Sequence, residues 1–132
     1  MPGGPTLIGL GAFAAIKLTG YSVAGSALNR WNDVSAPHPL AFGGARTLLG
    51  LGAGVAYGSL ALRAGVDHSE LLFYLGLLPV RLAEWSAMLW LFYRASSRPR
   101  SVDALRGSLW SYCLDIPAIL AAFTVPGGFW IC

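Results

Sequence analysis

The chain has 132 residues, of which 55% are hydrophobic and only 11% are Asp, Glu, Lys or Arg, and its formal net charge is +3. An average soluble domain is roughly 25% charged, and a domain this short keeps about 30% of its chain surface exposed after folding. The composition therefore excludes an ordinary water-soluble domain. We expect lipid to be its solvent, where backbone groups must be satisfied inside helices or a closed barrel.

Four apolar stretches follow one another along the chain, each near the roughly 20 residues that a helix needs to cross a hydrocarbon core of about 30 Å. We predict helices at about 6–28, 40–62, 69–93 and 105–130. A membrane barrel would need alternating strands of about 10 residues, and these runs do not alternate. The predicted fold class is an all-α integral membrane four-helix bundle that forms a single transmembrane domain, 1–132.

The segments between the predicted helices have the composition of turns. Asn29 to Asp33 leads to Pro37-His38-Pro39, whose prolines mark a boundary, and Gly65 follows the second helix. Ser101 or Asp103 is expected to cap the fourth helix. Because all three connections are short, consecutive helices should be antiparallel neighbours.

Arginine residues concentrate in the third connection and at its edges: Arg94, Arg98, Arg100 and Arg106. The positive-inside bias then places the first and third connections in the cytoplasm and both termini on the non-cytoplasmic side. The same arginines account for most of the net charge, so the expected partner of this end is the anionic lipid bilayer and not a nucleic acid. We expect the protein in a plasma or inner membrane.

Five charged residues fall inside the predicted helices, although each costs roughly 2.5 to 3.5 kcal/mol in hydrocarbon on insertion scales. They are Lys17, Arg46, Arg81, Glu84 and Asp115. At about 1.5 Å per residue, four of them should share a layer near the bilayer midplane, with Arg46 one or two turns nearer the cytoplasm. Arg81 and Glu84 can pair at i,i+3, and Lys17 can pair with Asp115 between helices.

The helical period assigns inward faces to three of the helices. They consist of Phe13, Lys17, Tyr21 and Ala24 on the first helix, Leu77, Arg81, Glu84 and Met88 on the third, and Ser108, Ser111, Tyr112, Asp115 and Ala122 on the fourth. Pro79 and Pro117 stand two residues from Arg81 and Asp115. We expect them to break the backbone hydrogen bonding beside the charges, as in the broken helices of some transporters.

The second helix carries a glycine stripe, Gly50, Gly54 and Gly58. Small residues at this spacing let helix backbones approach closely. The stripe predicts a tight contact with a neighbouring helix or a second subunit, and we expect a homo-oligomer or a membrane partner subunit.

Three functions fit these features. The leading hypothesis is a transporter or channel for a small solute or ion, with the five charged residues as its substrate or ion site. A membrane-embedded enzyme acting on a lipid or anionic substrate is an alternative, in which the cations bind a phosphate, Glu84 or Asp115 is the general acid or base, and Tyr57 assists. In a non-catalytic accessory subunit the charges would only hold the assembly together.

No cofactor and no metal site are expected. Cys113 and Cys132 would lie about 28 Å apart on a continuous helix, and two cysteines without a paired spacing do not indicate a metal site. His38 and His68 fall in connections on opposite sides of the predicted membrane.

Overall fold

Four α-helices make up the part of the chain that the computed structural model describes, residues 7–35, 37–65, 70–94, 96 and 99–124. They are α1 (Leu7–Asn32), α2 (Pro39–Ala64), α3 (Glu70–Phe92) and α4 (Arg100–Thr124). No strand occurs among the described residues. The prediction of an all-helical chain with four helices is therefore confirmed, while the expected boundaries near 6, 69 and 130 lie outside the described residues.

Two helix boundaries differ from the prediction. The segment from Asn29 was expected to be a turn, yet α1 continues to Asn32, where the Asn32 side chain donates to the Leu28 carbonyl at 2.8 Å. Similarly, α4 begins at Arg100 and so starts before both expected caps, with Asp103 in its first turn. Hydropathy marks only the apolar part of a helix, whereas polar residues extend it at little cost in helix propensity, and an acidic residue in the first turn also favours the helix dipole.

The turns around α2 follow the predicted chemistry. Pro39 occupies the first helical position, where its missing N–H costs nothing, and the His38 ring nitrogen Nδ1 accepts from the Leu40 backbone N–H at 3.3 Å. At the other end Gly65 has φ of 68°, and its N–H donates to the Leu62 carbonyl at 3.3 Å. This left-handed position suits glycine, which has no Cβ.

Contacts between helices give an up-down-up-down bundle in which α4 returns to α1. Near the end of α1, Tyr93 donates from Oη to the Asn29 Oδ1 atom at 2.6 Å. Trp110, in the N-terminal half of α4, donates to the carbonyl of Gly20, near the middle of α1, at 2.9 Å. The first and third connections therefore lie at the same end of the bundle, and neighbouring helices run antiparallel.

The bundle buries charged and polar side chains and exposes large apolar ones. The buried polar and charged residues are Lys17, Arg46, Thr47, Arg81, Glu84, Asp103, Ser108, Ser111 and Asp115. Large apolar side chains cover the outer faces, among them Leu48, Val55, Leu75, Leu91, Leu109 and Ile116. Exposed arginines stand towards the helix ends, at Arg30, Arg63, Arg94, Arg100 and Arg106. The predicted inward faces are confirmed at every charged position.

Among the described residues, two helices are long and apolar enough to cross a membrane, α1 and the segment Leu71–Phe92 of α3. For α2 and α4 the expectation of a membrane-spanning helix stays a prediction. On α4, the buried polar residues Ser108, Ser111 and Asp115 lower the hydropathy of the helix.

Candidate functional site

Asp115 joins three helices in the middle of the bundle. Its Oδ1 atom accepts from Lys17 Nζ of α1 at 2.5 Å, and its Oδ2 atom accepts from Arg81 Nη2 of α3 at 2.5 Å. Lys17 and Arg81 are 2% and 1% exposed, so both bonds form away from solvent, where charge-assisted hydrogen bonds are strong. We name Lys17, Arg81 and Asp115 the three-charge group. The predicted pairing of Lys17 with Asp115 is confirmed.

Glu84 pairs with Arg46 of α2, its Oε2 atom accepting from Nη2 at 2.7 Å. We name these two residues the α2–α3 pair. Sequence reasoning placed both of them in the site but did not pair them, because the pairing depends on how α2 is rotated against α3. The ion pairs described for Arg81 and Glu84 thus run between helices, whereas the i,i+3 spacing had suggested a pair within α3.

Aromatic rings surround both sets of charges. The Tyr21 ring is shared, since its centroid lies 5.8 Å from Lys17 Nζ and 4.8 Å from Arg46 Cζ. The Trp85 ring lies 5.4 Å from Arg46 Cζ, and the Tyr112 ring lies 4.3 Å from Arg81 Cζ. Cation–π attraction of this kind is stronger when the partners are desolvated.

Ser111 fixes two of these rings. Its Oγ atom accepts from Tyr21 Oη at 3.2 Å and from Trp85 Nε1 at 2.9 Å. Ser111 and Asp115 are neighbours on one face of α4 because they are four residues apart. A single face of α4 therefore holds the aromatic and the ionic parts of the site together.

Pro79 and Pro117 do not contribute to the site. Both lie inside helices that continue without interruption, and both are exposed on the outer face of the bundle. The expectation of broken helices beside the charges is wrong. A proline removes one backbone hydrogen bond, but it does so on its own side of the helix, away from the ion pairs.

The glycine stripe of α2 has a different use from the one expected. Gly50 is buried, and a Cβ atom built there would lie 3.0 Å from Arg46 Nη1, whereas a Cβ at Gly58 would meet nothing within 4 Å. Gly54 is half-buried. Within the described chain, Gly50 therefore makes room for the arginine and not for another helix, and self-association through the stripe stays a prediction.

Close approach of α1 to α2 depends on other glycines. A Cβ at Gly43 would lie 2.9 Å from the Leu18 carbonyl oxygen of α1, and a Cβ at Gly25 would lie 3.1 Å from the Phe42 ring. Sequence reasoning missed this pair because it followed the four-residue spacing of glycines. The available signal was the position of Gly25 on the same α1 face as Tyr21 and Lys17, four and eight residues away respectively.

Asp103, which the prediction placed at the start of α4, is buried and only 3% exposed. Its Oδ1 atom lies 3.7 Å from Arg106 Nη1, and Arg106 stacks over the Trp31 ring at 5.4 Å. Burial, and then the nearby Asp103 charge, raise the pKa of Tyr93 to about 12. Asp103 also borders a cavity of about 300 Å³ between α1 and α4. Other cavity residues include Ala24, Leu28, Trp85 and Gly107.

Tyr57, the assisting residue of the enzyme hypothesis, donates to the Phe73 carbonyl at 2.8 Å and lies where a side chain at Gly76 would stand. It makes an α2–α3 packing contact there. Among the described residues, no group of three or more His, Cys, Asp or Glu side chains is placed to hold a metal ion. Cys113 is exposed on α4, and His68, Cys132 and the side chain of Ala122 lie outside the described residues.

Comparison of the chain with protein-family models, with curated proteins and with solved structures gives no match.

Proposed function

We propose that this chain is a small integral membrane transporter or channel that moves a small solute or ion through the interior of its bundle. The proposed site consists of Lys17, Arg46, Arg81, Glu84 and Asp115. The observation that carries the proposal is the inside-out polarity, in which these charges are buried among helices with apolar outer faces. In water, such a molecule would expose apolar surface and desolvate charges at once, and both are unfavourable. In lipid the apolar exterior becomes the stable one.

A span by all four helices is part of this proposal, and the outer surface of α1 supports it. Along α1 the first exposed charge is Arg30, so that about 23 residues precede it and cover about 34 Å, more than the roughly 30 Å of the hydrocarbon core. Arg94, Arg100 and Arg106 share the end of the bundle that holds Arg30. By the positive-inside bias this end is cytoplasmic, and both termini lie on the other side of a plasma or inner membrane.

Two features of the charges favour transport over the two alternatives: the free energy that their burial costs, and the partners to which the proposed catalytic groups are already bound. A packing role alone does not need them, because apolar residues of similar volume often replace buried ion pairs without loss of stability. For the enzyme, Glu84 and Asp115 are each bound to cations, and Tyr57 is bound to a backbone carbonyl. Intramembrane charges mark solute and ion pathways in many membrane proteins.

Reconstitution into liposomes tests the proposal. We expect flux of ions or small solutes through the wild type, loss of that flux in Asp115→Asn, and retention of it in Asp33→Asn, a matched substitution at an exposed carboxylate. Circular dichroism verifies that the variants are folded. Absence of flux through folded wild type for every solute tested would contradict transport. Co-purified partners would then point to the accessory subunit, and a lipid product found by mass spectrometry would point to the enzyme.

A further inference from the structure

The two sets of buried charges do not balance. Lys17, Arg46 and Arg81 supply three positive charges, whereas Glu84 and Asp115 supply two negative charges, which leaves a formal charge of +1 in the site. The other buried carboxylate of the described helices, Asp103, pairs with Arg106 near the end of the bundle. An excess charge in a low-dielectric interior attracts a counter-ion strongly.

Arg46 has donors that no described residue uses. Its Nη2 atom bonds Glu84, while its Nε and Nη1 atoms have no hydrogen-bond partner among the described residues, although the side chain is only 1% exposed. The Tyr21 and Trp85 rings cover the guanidinium at 4.8 and 5.4 Å. They attract its charge, but the ring contacts provide no acceptor oxygen for these N–H groups.

Gly50 stands beside the Nη1 atom of Arg46. A Cβ at Gly50 would lie 3.0 Å from Nη1, and no other described atom outside the surrounding turns of α2 would lie within 4 Å of it. This distance is shorter than an ordinary van der Waals contact, so a larger residue at position 50 would displace the guanidinium. Glycine at this position therefore keeps a side chain off the Nη1 atom and leaves its N–H groups to an acceptor.

We propose that the solute of this site is a small anion, a halide or one oxygen of an oxyanion or carboxylate, held by the Nε and Nη1 groups of Arg46. The inference rests on the proposed function, for which it names the substrate class. Because the donor recognises a single negative acceptor atom, a free anion and the phosphate oxygen of a lipid headgroup share the necessary chemistry.

Equilibrium dialysis of the detergent-purified protein tests the inference, with radiolabelled chloride and radiolabelled acetate as probes and a bulky sulfonate as the buffer anion. We expect saturable binding to the wild type. Binding should weaken about 10- to 100-fold in Arg46→Gln, the loss expected when a charge-assisted hydrogen bond is removed. Gly50→Ala should weaken it as well, since the new methyl group would lie 3.0 Å from Nη1 and displace the guanidinium.

Gly58→Ala is the matched control, because it adds the same methyl group on the same helix where nothing lies within 4 Å, and its binding should equal that of the wild type. If Arg46→Gln does not fold, the comparison of anion binding between Gly50→Ala and the wild type tests the inference by itself. No saturable binding to the wild type, or equal binding to wild type and both site variants, would overturn the inference. Displacement of the bound probe by phosphatidylglycerol, with no displacement by unlabelled chloride, would assign the site to a lipid headgroup.

Failure of the inference is distinguishable from failure of the transport proposal. Flux of a cation or a neutral solute without saturable anion binding would overturn the anion site and leave transport standing. Saturable anion binding that depends on Arg46 and Gly50, without flux of any anion in liposomes, would support the anion site and contradict transport.

Discussion

The three-charge group and the α2–α3 pair share Tyr21 as a neighbour, yet they satisfy their charges in different ways. In the three-charge group, each oxygen of Asp115 accepts from a different helix. In the pair, one bond joins Arg46 to Glu84, and two further nitrogen atoms of Arg46 have no partner among the described residues. Asp115 is thus bonded to cations of two other helices, whereas Glu84 is bonded to a cation of one.

We infer from this difference that Asp115 stabilises the bundle, whereas Arg46 is available to a ligand. The Asp115 carboxylate joins α4 to both α1 and α3, so its removal leaves two buried cations without this partner. A cation with unused donors has capacity for a ligand, because a buried polar group without a partner costs free energy until it finds one. The largest stability effects are therefore expected at Asp115, and the largest ligand effects at Arg46.

Asp115→Asn should produce the largest loss of stability. It leaves Lys17 and Arg81 buried without their carboxylate, and breaking a buried ion pair typically costs about 3 to 5 kcal/mol of unfolding free energy. Glu84→Gln leaves only Arg46 without its carboxylate and should lower the unfolding free energy by less. Denaturant unfolding in detergent, followed by tryptophan fluorescence, measures both. An equal or greater loss of stability in Glu84→Gln would contradict the larger stabilising role of Asp115.

Lys17→Met should have a smaller effect. The variant keeps Asp115 bonded to Arg81 and fills a similar volume, so the expected loss is one charge-assisted bond that is partly offset by the removal of a buried charge, about 1 kcal/mol. The same unfolding measurement checks this value. A loss as large as that of Asp115→Asn would mean that Arg81 alone cannot hold the carboxylate.

Tyr93→Phe should have an effect of about the same size as Lys17→Met, and it tests a residue outside both charged sets. It removes the hydrogen bond to Asn29 at 2.6 Å, worth about 1 kcal/mol. The folded-state pKa of Tyr93 is raised from 10.0 to about 12, so the unfolded chain loses this proton first. The contribution is fully present below pH 10 and declines as the pH rises towards 12. Wild-type stability should fall more steeply than that of the variant over this window.

The inward faces were predictable because the helical period alone decides them. Lys17, Arg81, Glu84 and Asp115 stand on faces that any regular helix would give, and all four are buried. The pairing of Lys17 with Asp115 followed from their common depth. The Arg46–Glu84 bond did not, since it requires the rotation of α2 about its own axis, and the prediction assigned no inward face to α2.

The errors of the prediction have two physical origins. Helix ends were misjudged because hydropathy reports apolar content, and Asn29 and Arg100 are helical without being apolar. Prolines were given a role in the site because of their sequence distance from the charges. A separation of two residues turns a helix by about 200°, which puts Pro79 on the side opposite Arg81.

Gly107 of α4 has a consequence for how this chain can vary in evolution. A Cβ there would fall among the atoms of the Trp85 indole, the ring that also lies over the Arg46 guanidinium. A larger residue at position 107 is compatible only with a smaller one at 85, and a smaller residue at 85 uncovers the arginine. In homologous chains we expect positions 46, 85 and 107 to covary as a set, because both Arg46 and Gly107 are matched to the ring at position 85.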